Sequence, residues 1–338
     1  MDPVSQGVIG ATFSQSFFRR EKLFPVGVAG VISGLSPDLD VFISSSIDPL
    51  LFLEFHRQFT HSLIFIPFGA LAVTLILFYF LKSYLSWKET YLACFLGYAT
   101  HALLDACTGY GTQLFWPFSS ERIAWNNISI IDPLFTVPLI VFFILGSIKQ
   151  SKFLVFLGIG WAFLYISLGI LQKSRAYKFG QEIALSRGHS ANSLSVKPTF
   201  ANLILWKSIY EFDNEYYIDP IHLSIGAKFC KGHKIEKLDI DKHITGLNPE
   251  SQQVVDIKRF EKFSAGYMSY IPNKQLIIDT RYSLLPNKLS PIWGIIIRPQ
   301  KDLSNHVVWW ENRSPNKNQV SSFIDLLIGK NCQNYKFK

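Results

Sequence analysis

The sequence predicts an α-helical polytopic membrane domain of about six spans, followed by a soluble α+β domain. Two observations predict it. Charges are scarce and unevenly spread, and apolar runs of helix length crowd into one half. Of 338 residues, 49% are hydrophobic and 17% are charged. Residues 1–172 are apolar with widely spaced charges, whereas residues 173–338 have the mixed composition of a water-soluble domain. The expected division is therefore a membrane-embedded domain over 1–178 and a soluble domain over 179–338.

A helix needs roughly 20 apolar residues to cross a bilayer core. Val8–Phe18 is short and partly polar, and Leu23–Leu35 is apolar and Gly-rich, which suits close helix packing. The clearest spans are His61–Leu81, Thr90–Leu104, Pro133–Ile148 and Phe153–Leu171. The opening Met-Asp-Pro lacks the basic start of a cleavable signal peptide.

Orientation follows from basic residues in short loops. Arg19, Arg20 and Lys22 form one group, Lys82 and Lys88 a second, Lys149 and Lys152 a third. With six spans all three fall on one side, the cytoplasm. Pro37–Thr60, the His101 end of its span, the Gly109–Asp132 loop and the C-terminal half then lie on the other side. Lys173, Arg175 and Lys178 sit on that outer side and run against the rule.

In the second half, Ser174 to about Ser186 reads as an amphipathic helix. Strand-like runs follow at Leu203–Tyr210, Tyr216–Leu223, Gln275–Ile278, Trp293–Ile297 and Val307–Trp310. Asn248-Pro249 opens a helix to about Phe263, and Ser321–Leu327 reads as a last helix. Trp206, Tyr210, Tyr216 and Tyr217 read as core and interface. His189, His233, His243 and His306 are scattered and read as ordinary.

Lys and Arg number 33 against 25 Asp and Glu. Span ends and anionic headgroups account for that excess. No nucleic-acid motif is present, and no nucleic-acid partner is expected. None of the four cysteines forms a CxxC pair, so a thiolate zinc site is not expected. Cys230 and Cys332 could pair in an oxidising compartment, and the sequence leaves that open.

The conspicuous polar residues fall in four stretches: Ser36-Pro37-Asp38-Leu39-Asp40, His56-Arg57-Gln58-Phe59-Thr60-His61-Ser62, His101-Ala102-Leu103-Leu104-Asp105, and Thr108-Gly109-Tyr110-Gly111 running to Trp116-Pro117. The threading above brings all four to one membrane face. In an extended segment, Asp38 and Asp40 point the same way. On a helix, His101 and Asp105 share one face a turn apart. His56 and His61 fit a loop feeding a helix, with Thr60 as its N-cap and Arg57 beside an anion-favouring helix start. Singly these patterns are common. At the ends of apolar spans, where ionisable groups are costly, they point to function. Nitrogen and oxygen ligands without thiolates suit a divalent metal, with zinc first and manganese, nickel or iron also allowed.

At these residues the sequence resembles the YdjM-like family of membrane-bound proteins assigned as metal-dependent hydrolases. The matching elements are Asp2-Pro3-Val4-Ser5-Gln6-Gly7 with Gly10-Ala11, Pro37-Asp38-Leu39-Asp40, the His56–Ser62 stretch, and His101-Ala102-Leu103-Leu104-Asp105 with Thr108 and Gly111. They cover about the first 120 residues. Asp279-Thr280-Arg281-Tyr282 and Pro291-Ile292-Trp293-Gly294 are similar to the extra domain of one branch of that family. The His-x-x-x-Asp helix is also similar to those of zinc-dependent phospholipase C and nucleases. Some relatives have His where this chain has Gln6, a poor ligand, which puts an N-terminal ligand in doubt.

The resemblance implies a divalent ion on His56, His61, His101, Asp105 and one or both of Asp38 and Asp40, with hydrolysis as the activity. Asp38 and Asp105 carry the expected catalytic roles with Arg57: an Asp left out of the ligand set would serve as base, and Arg57 would offset charge developing on the substrate. The expected protein is an integral inner-membrane enzyme with its site and C-terminal domain extracytoplasmic. Its expected substrate is a phosphoester, or a membrane lipid or lipid-linked molecule; oligomeric state is not legible. The competing expectations are a scaffold or receptor with a structural metal, and an ion transporter.

Overall fold

The computed structural model of the chain describes residues 1–191, 193–300, 302–330 and 332–334. It forms two compact units. One comprises Met1–Phe42, Phe55–Lys173 and Phe200–Leu203; the other comprises Ile43–Glu54, Ser174–Thr199 and the chain from Ile204 onward. A helical N-terminal region is thus followed by a sheet-containing C-terminal domain.

The helices of the first half are α1 (Pro3–Ser16), α2 (Leu23–Leu35), α3 (Leu51–Phe55), α4 (Ile66–Leu81), α5 (Trp87–Ala106), α6 (Pro133–Ile148) and α7 (Lys152–Ser186). Their starts follow local chemistry. The Asp2 side chain accepts the Ser5 N–H and Pro3 opens α1. Ser86 and Glu89 form a reciprocal cap on α5. Asp132 caps α6 ahead of Pro133.

Among the described residues, two segments are long and apolar enough to cross a membrane: Leu63–Leu81, where a short 3-10 turn leads into α4, and α7. The sequence predicts about six. Helices α1, α2 and α6 have 14, 13 and 16 residues, short of the usual span. Helix α5 has 20 residues but includes Lys88, Glu89 and Asp105. Much apolar surface is nevertheless exposed, including Leu75, Ile76 and Phe80 on α4, Val137 and Ile148 on α6, and Phe163, Leu164 and Leu171 on α7.

Helices α1, α2 and α5 meet at three glycines. A Cβ on Gly30 would lie 2.6 Å from the Gly10 carbonyl oxygen, and one on Gly97 would lie 2.7 Å from the Gly30 carbonyl oxygen. Only glycine permits this approach. Buried hydroxyls tie the same helices: Ser14 Oγ donates to the Ala93 carbonyl and Ser33 Oγ to that of Cys94. At the opposite end from the polar stretches, Lys152 Nζ donates to the carbonyls of Gln15 and Phe18, closing the C-terminus of α1, and Lys22 pairs with Glu89.

In the second unit, β1 (Ser195–Pro198), β2 (Leu205–Phe212), β3 (Glu215–Leu223), β4 (Ala227–Cys230) and β5 (His233–Glu236) precede α8 (Ile240–His243) and α9 (Gln252–Ser264). Then come β6 (Met268–Ile271), β7 (Leu276–Asp279), β8 (Trp293–Ile296), β9 (Val308–Glu311), α10 (Lys317–Leu327) and β10 (Cys332–Asn334). Among the described residues the strands form two antiparallel sheets. One has the order β1-β2-β3-β4-β10 with β5 also on β3, and the other the order β6-β7-β8-β9. Trp206, Tyr210 and Tyr216 are fully buried, as core residues should be. Cys230 and Cys332 face each other in the β4–β10 pair and form a disulfide.

Three local expectations change. Residues 174–186 continue α7 rather than starting a helix. The 248–264 helix starts at Gln252, after Ser251, and the last helix begins at Lys317, where Asn316 and Gln319 cap each other.

Candidate metal centre

The centre lies in the first unit, where the glycine crossing sets the spacing. His101 follows Gly97 by one turn of α5, and its Nδ1 is 2.6 Å from the carbonyl oxygen of Gly34 near the end of α2. A carbonyl only accepts, so Nδ1 carries the proton and the neutral ring presents a bare Nε2. His61 is fixed likewise. Its Nδ1 lies 3.2 Å from Asp40 Oδ2 and 2.9 Å from Thr60 Oγ, and the Thr60 hydroxyl itself donates to Asp40 at 2.6 Å. His61 therefore also turns its Nε2 inward, toward Asp38 and Asp105.

The two Nε2 atoms are 2.9 Å apart. Asp38 Oδ1 is 3.4 Å from each, and Asp105 Oδ2 is 3.3 Å from His61 and 3.7 Å from His101. Two ring nitrogens and two carboxylate oxygens facing one point need positive charge between them, from a metal ion or from a proton on His61. A tetrahedral zinc with bonds of about 2.0–2.1 Å would separate its ligands by roughly 3.3–3.4 Å. The observed separations bracket that value. Asp38 Oδ1 and Asp105 Oδ2 are buried and accept no well-formed hydrogen bond among the described residues, with the Arg57 guanidinium pairing Asp105 Oδ2 at 3.1 Å. The residues thus fit a divalent ion, and these four form a group that could hold one.

A second group, Asp38, Asp40 and His56, shares Asp38 with the first. Asp40 is the hub behind both histidines, accepting from His56 Nδ1 at 2.7 Å, the Arg57 N–H at 3.0 Å and the Thr60 hydroxyl. Burial pushes its carboxyl up, but the hydrogen bonds from His56 and His61 outweigh that and hold it below the ordinary range. The side chains of His61, His101 and Asp105 are fully buried, while those of Asp38 and His56 are 25% and 27% exposed. These two are the solvent-facing members of the cluster.

Some sequence expectations need correction. Asp38 and Asp40 lie in a 3-10 stretch, Ser36–Phe42, not an extended one. Their carboxylates accordingly serve different partners. Thr60 does not cap a helix: α4 starts at Ile66 without a side-chain cap, and the Thr60 hydroxyl serves Asp40 and His61 instead. Arg57 adopts φ 65° and is buried, with Nε 3.1 Å from Asp105 Oδ2. Such a backbone in a bulky residue marks a constrained position.

Gln6 is part of the centre without being a ligand to it. Its Nε2 donates to Asp105 Oδ1 at 2.9 Å, an oxygen also contacted by the Met1 amino group, which leaves Oδ2 facing the histidines. The fourth stretch supplies a brace. The Gln113 N–H donates to the Arg57 carbonyl, the Leu63 N–H to the Leu114 carbonyl, and Arg122 to the His56 carbonyl.

Residues 1–176 match the family described as YdjM inner membrane protein. The chain belongs to the YdjM family. The matched region holds every residue of the centre, from Gln6 to Asp105. A curated relative, YfhP of Bacillus subtilis (strain 168), described as an uncharacterized protein, is 28% identical over 108 residues. That alignment spans 32% of this chain and 32% of YfhP. No solved structure matches the chain.

A third group, Asp48, Asp256 and His306, lies in the second unit, outside the YdjM match for its last two members. Arg259 already sits among its acids. It is 3.0 Å from Asp256 Oδ1, 2.8 Å from Asp48 Oδ2 and 2.6 Å from Glu54. His306, which reads as ordinary in the sequence, donates to the buried Asp256. This network ties residues 43–54 to α9 and has its cation built in.

Proposed function

We propose that this YdjM-family protein is a membrane-bound, metal-dependent hydrolase. Its substrate is a phosphoester or lipid-linked molecule at the outer face of the inner membrane. The observation that carries this reading is the convergence of Asp38, His61, His101 and Asp105 on one point, with Asp38 and His56 partly open to solvent.

When bound, a divalent ion, with zinc the best fit to two imidazoles and two carboxylates, supplies positive charge to a phosphoryl or carbonyl oxygen and acidifies water. The chain's residues do the rest. Gln6 and the Gly34 carbonyl orient Asp105 and His101. Asp40 orients His61, as carboxylates behind metal-binding imidazoles do. His56 donates a hydrogen bond from Nδ1 to Asp40, which leaves its Nε2 to accept a proton from water. Arg57 offsets negative charge on the reacting group beside Asp105. Asp38 belongs to both ligand groups and can serve one ion or bridge two.

In this reading α1, α2, α5 and α6 join the two longer helices as six membrane segments, and the domain boundary falls near residue 178. The exposed apolar residues of α4, α6 and α7 face lipid. The basic loops face the cytoplasm, and the Cys230–Cys332 disulfide suits an oxidising outer compartment. A centre at a lipid-facing boundary favours a lipid-borne substrate.

One observation favours a second reading. Three of the four converging ligands are fully buried, as in structural metal sites, which are closed. The test is hydrolysis by detergent-purified protein of aryl phosphodiesters and lipid-linked phosphates, with and without added zinc or manganese. Metal-dependent turnover that falls by about 10–100-fold or more in Asp38→Asn supports the hydrolase. A tightly held metal with no turnover on any of these substrates supports the structural reading.

A further inference from the structure

The basic residues that follow the apolar part of α7 run against the loop rule and take no part in the metal chemistry. Helix α7 is a single helix of 35 residues. Residues 153–172 carry no charge, about the length a bilayer core requires. Lys173, Arg175 and Lys178 follow at once, and the first carboxylate after them on α7 is Glu182. At 1.5 Å of rise per residue, Arg175 lies roughly 5 Å and Lys178 roughly 9 Å beyond Gln172. The headgroup layer on each side of a bilayer is roughly 5–8 Å deep. Helix side chains tilt toward the N-terminus, here back toward the apolar run, and long basic ones reach further still.

The same level of α7 carries exposed apolar side chains. Arg175 Nη2 donates to the carbonyls of Ser224 and Ile225 at 3.1 and 3.3 Å. These two belong to the loop 224–226 that joins β3 to β4, closed by the Leu223–Ala227 pair. Loop tips usually carry Gly, Asn, Asp or Ser, yet Ile225 stands at this one and is fully exposed. The Leu223 N–H donates to the Ile204 carbonyl at 2.7 Å, which sets Ile204, also exposed, beside the loop. Tyr177 on α7 is exposed too. Ala176 and Phe179 of α7 pack with Ile221 and Leu223 of β3 in one buried cluster, so helix and loop are held together. One exposed isoleucine is ordinary. Two of them with a tyrosine and basic residues, where a charge-free helical run ends, have the composition of a bilayer interface.

We propose that this collar, formed by Arg175, Tyr177 and Lys178 of α7 with Ile204 and Ile225, sits in the headgroup layer and binds anionic phospholipid. The basic side chains meet lipid phosphates, and the isoleucines reach the start of the acyl chains. The proposal rests on α7 crossing the bilayer and is independent of any hydrolysis. It gives the basic residues on the outer side a partner that the loop rule does not.

The test uses full-length protein in vesicles with a fluorophore on one introduced cysteine. Cys94 and Cys107 are buried and Cys230 is paired with Cys332, so the label goes to the new thiol. Lipid carrying a nitroxide on its headgroup quenches the fluorophore at close range. Ile225→Cys should be quenched several-fold more than Leu185→Cys, an exposed site roughly 15 Å further along α7 than Arg175. Replacing part of the neutral lipid by phosphatidylglycerol should deepen the quenching of Ile225→Cys. Lys178 is exposed, so Lys178→Glu keeps the fold, and it should remove that gain. Phe163→Cys, read with a nitroxide on the acyl chain, reports whether α7 lies in the bilayer. Quenching at Phe163→Cys with equally weak quenching at Ile225→Cys and Leu185→Cys overturns the proposal alone. So does quenching at Ile225→Cys that neither phosphatidylglycerol nor Lys178→Glu changes. No quenching at Phe163→Cys overturns the α7 span, and the proposal with it.

Discussion

His61 and His101 face each other through their Nε2 atoms at 2.9 Å, while each commits its Nδ1 to an acceptor, Asp40 for one and the Gly34 carbonyl for the other. Neither ring can donate a proton across that gap without giving up its outer hydrogen bond or becoming charged. Asp38 and Asp105 bring two more acceptors to the same point. A divalent cation at that point would satisfy all four groups at once, where a proton on one ring satisfies them only in part.

Asp40 holds His61 from behind, so Asp40→Asn should keep the fold but disorder the ligand. An amide offers its NH₂ or its oxygen where a carboxylate could accept through both oxygens. Metal affinity should fall about 10–100-fold, measured by competition with a chromogenic chelator. Unchanged affinity would remove Asp40 from the account.

The glycine crossing should be intolerant. Gly30→Ala puts a Cβ 2.6 Å from the Gly10 carbonyl oxygen, and backbone cannot move aside as a side-chain tip can. Separating α1 from α2 would also shift Gly34 away from His101. A loss of about 1–3 kcal/mol in stability is expected, together with weaker metal retention, read by thermal melts with and without zinc. Gly160, where an added Cβ would meet nothing within 4 Å, should accept Ala without either effect.

Stability should rise with pH above neutrality through one buried lysine. Burial brings Lys207 down to about 7 in the folded protein, against about 10.4 unfolded. Above 7 the folded protein releases this proton first, while the unfolded chain keeps it up to about 10, so this group alone stabilises the fold as pH rises across that window. Thermal melts of wild type and Lys207→Met at pH 6, 7.5 and 9 check the sign: the rise should be present in the wild type and absent in the variant.

The cysteines report compartment. Cys94 and Cys107 are free and buried, and Cys230 pairs with Cys332. Protein denatured without reductant, after trapping in whole cells, should label two thiols per chain, and four after reduction. Four thiols before reduction would place the C-terminal domain on a reducing side.

Much of the centre is legible in the sequence because its residues break rules where they stand. Ionisable groups at the ends of apolar runs are costly, and the His101-x-x-x-Asp105 spacing fixes a shared helix face. The supporting contacts are not legible, because they are tertiary. Gln6 reaches Asp105 from 99 residues away, the Gly34 carbonyl has no side-chain signal, and Thr60 looks like a cap when it serves Asp40. In the second unit the long strands β2 and β3 stand out by their aromatic and β-branched residues. The four-residue strands β1, β4, β5 and β6 carry too little pattern. Lys197 and Lys207 escape notice because lysine in a strand ordinarily reads as solvent-facing, and only the register shows them buried side by side.

The most direct test is the metal content of detergent-purified protein by elemental mass spectrometry, wild type beside His101→Ala and Asp105→Ala. At least one equivalent of zinc, or of manganese, nickel or iron, is expected in the wild type, with loss in both variants. Wild-type protein that stays metal-free after refilling with each of these ions would rule out a metal at the Asp38–His61–His101–Asp105 cluster.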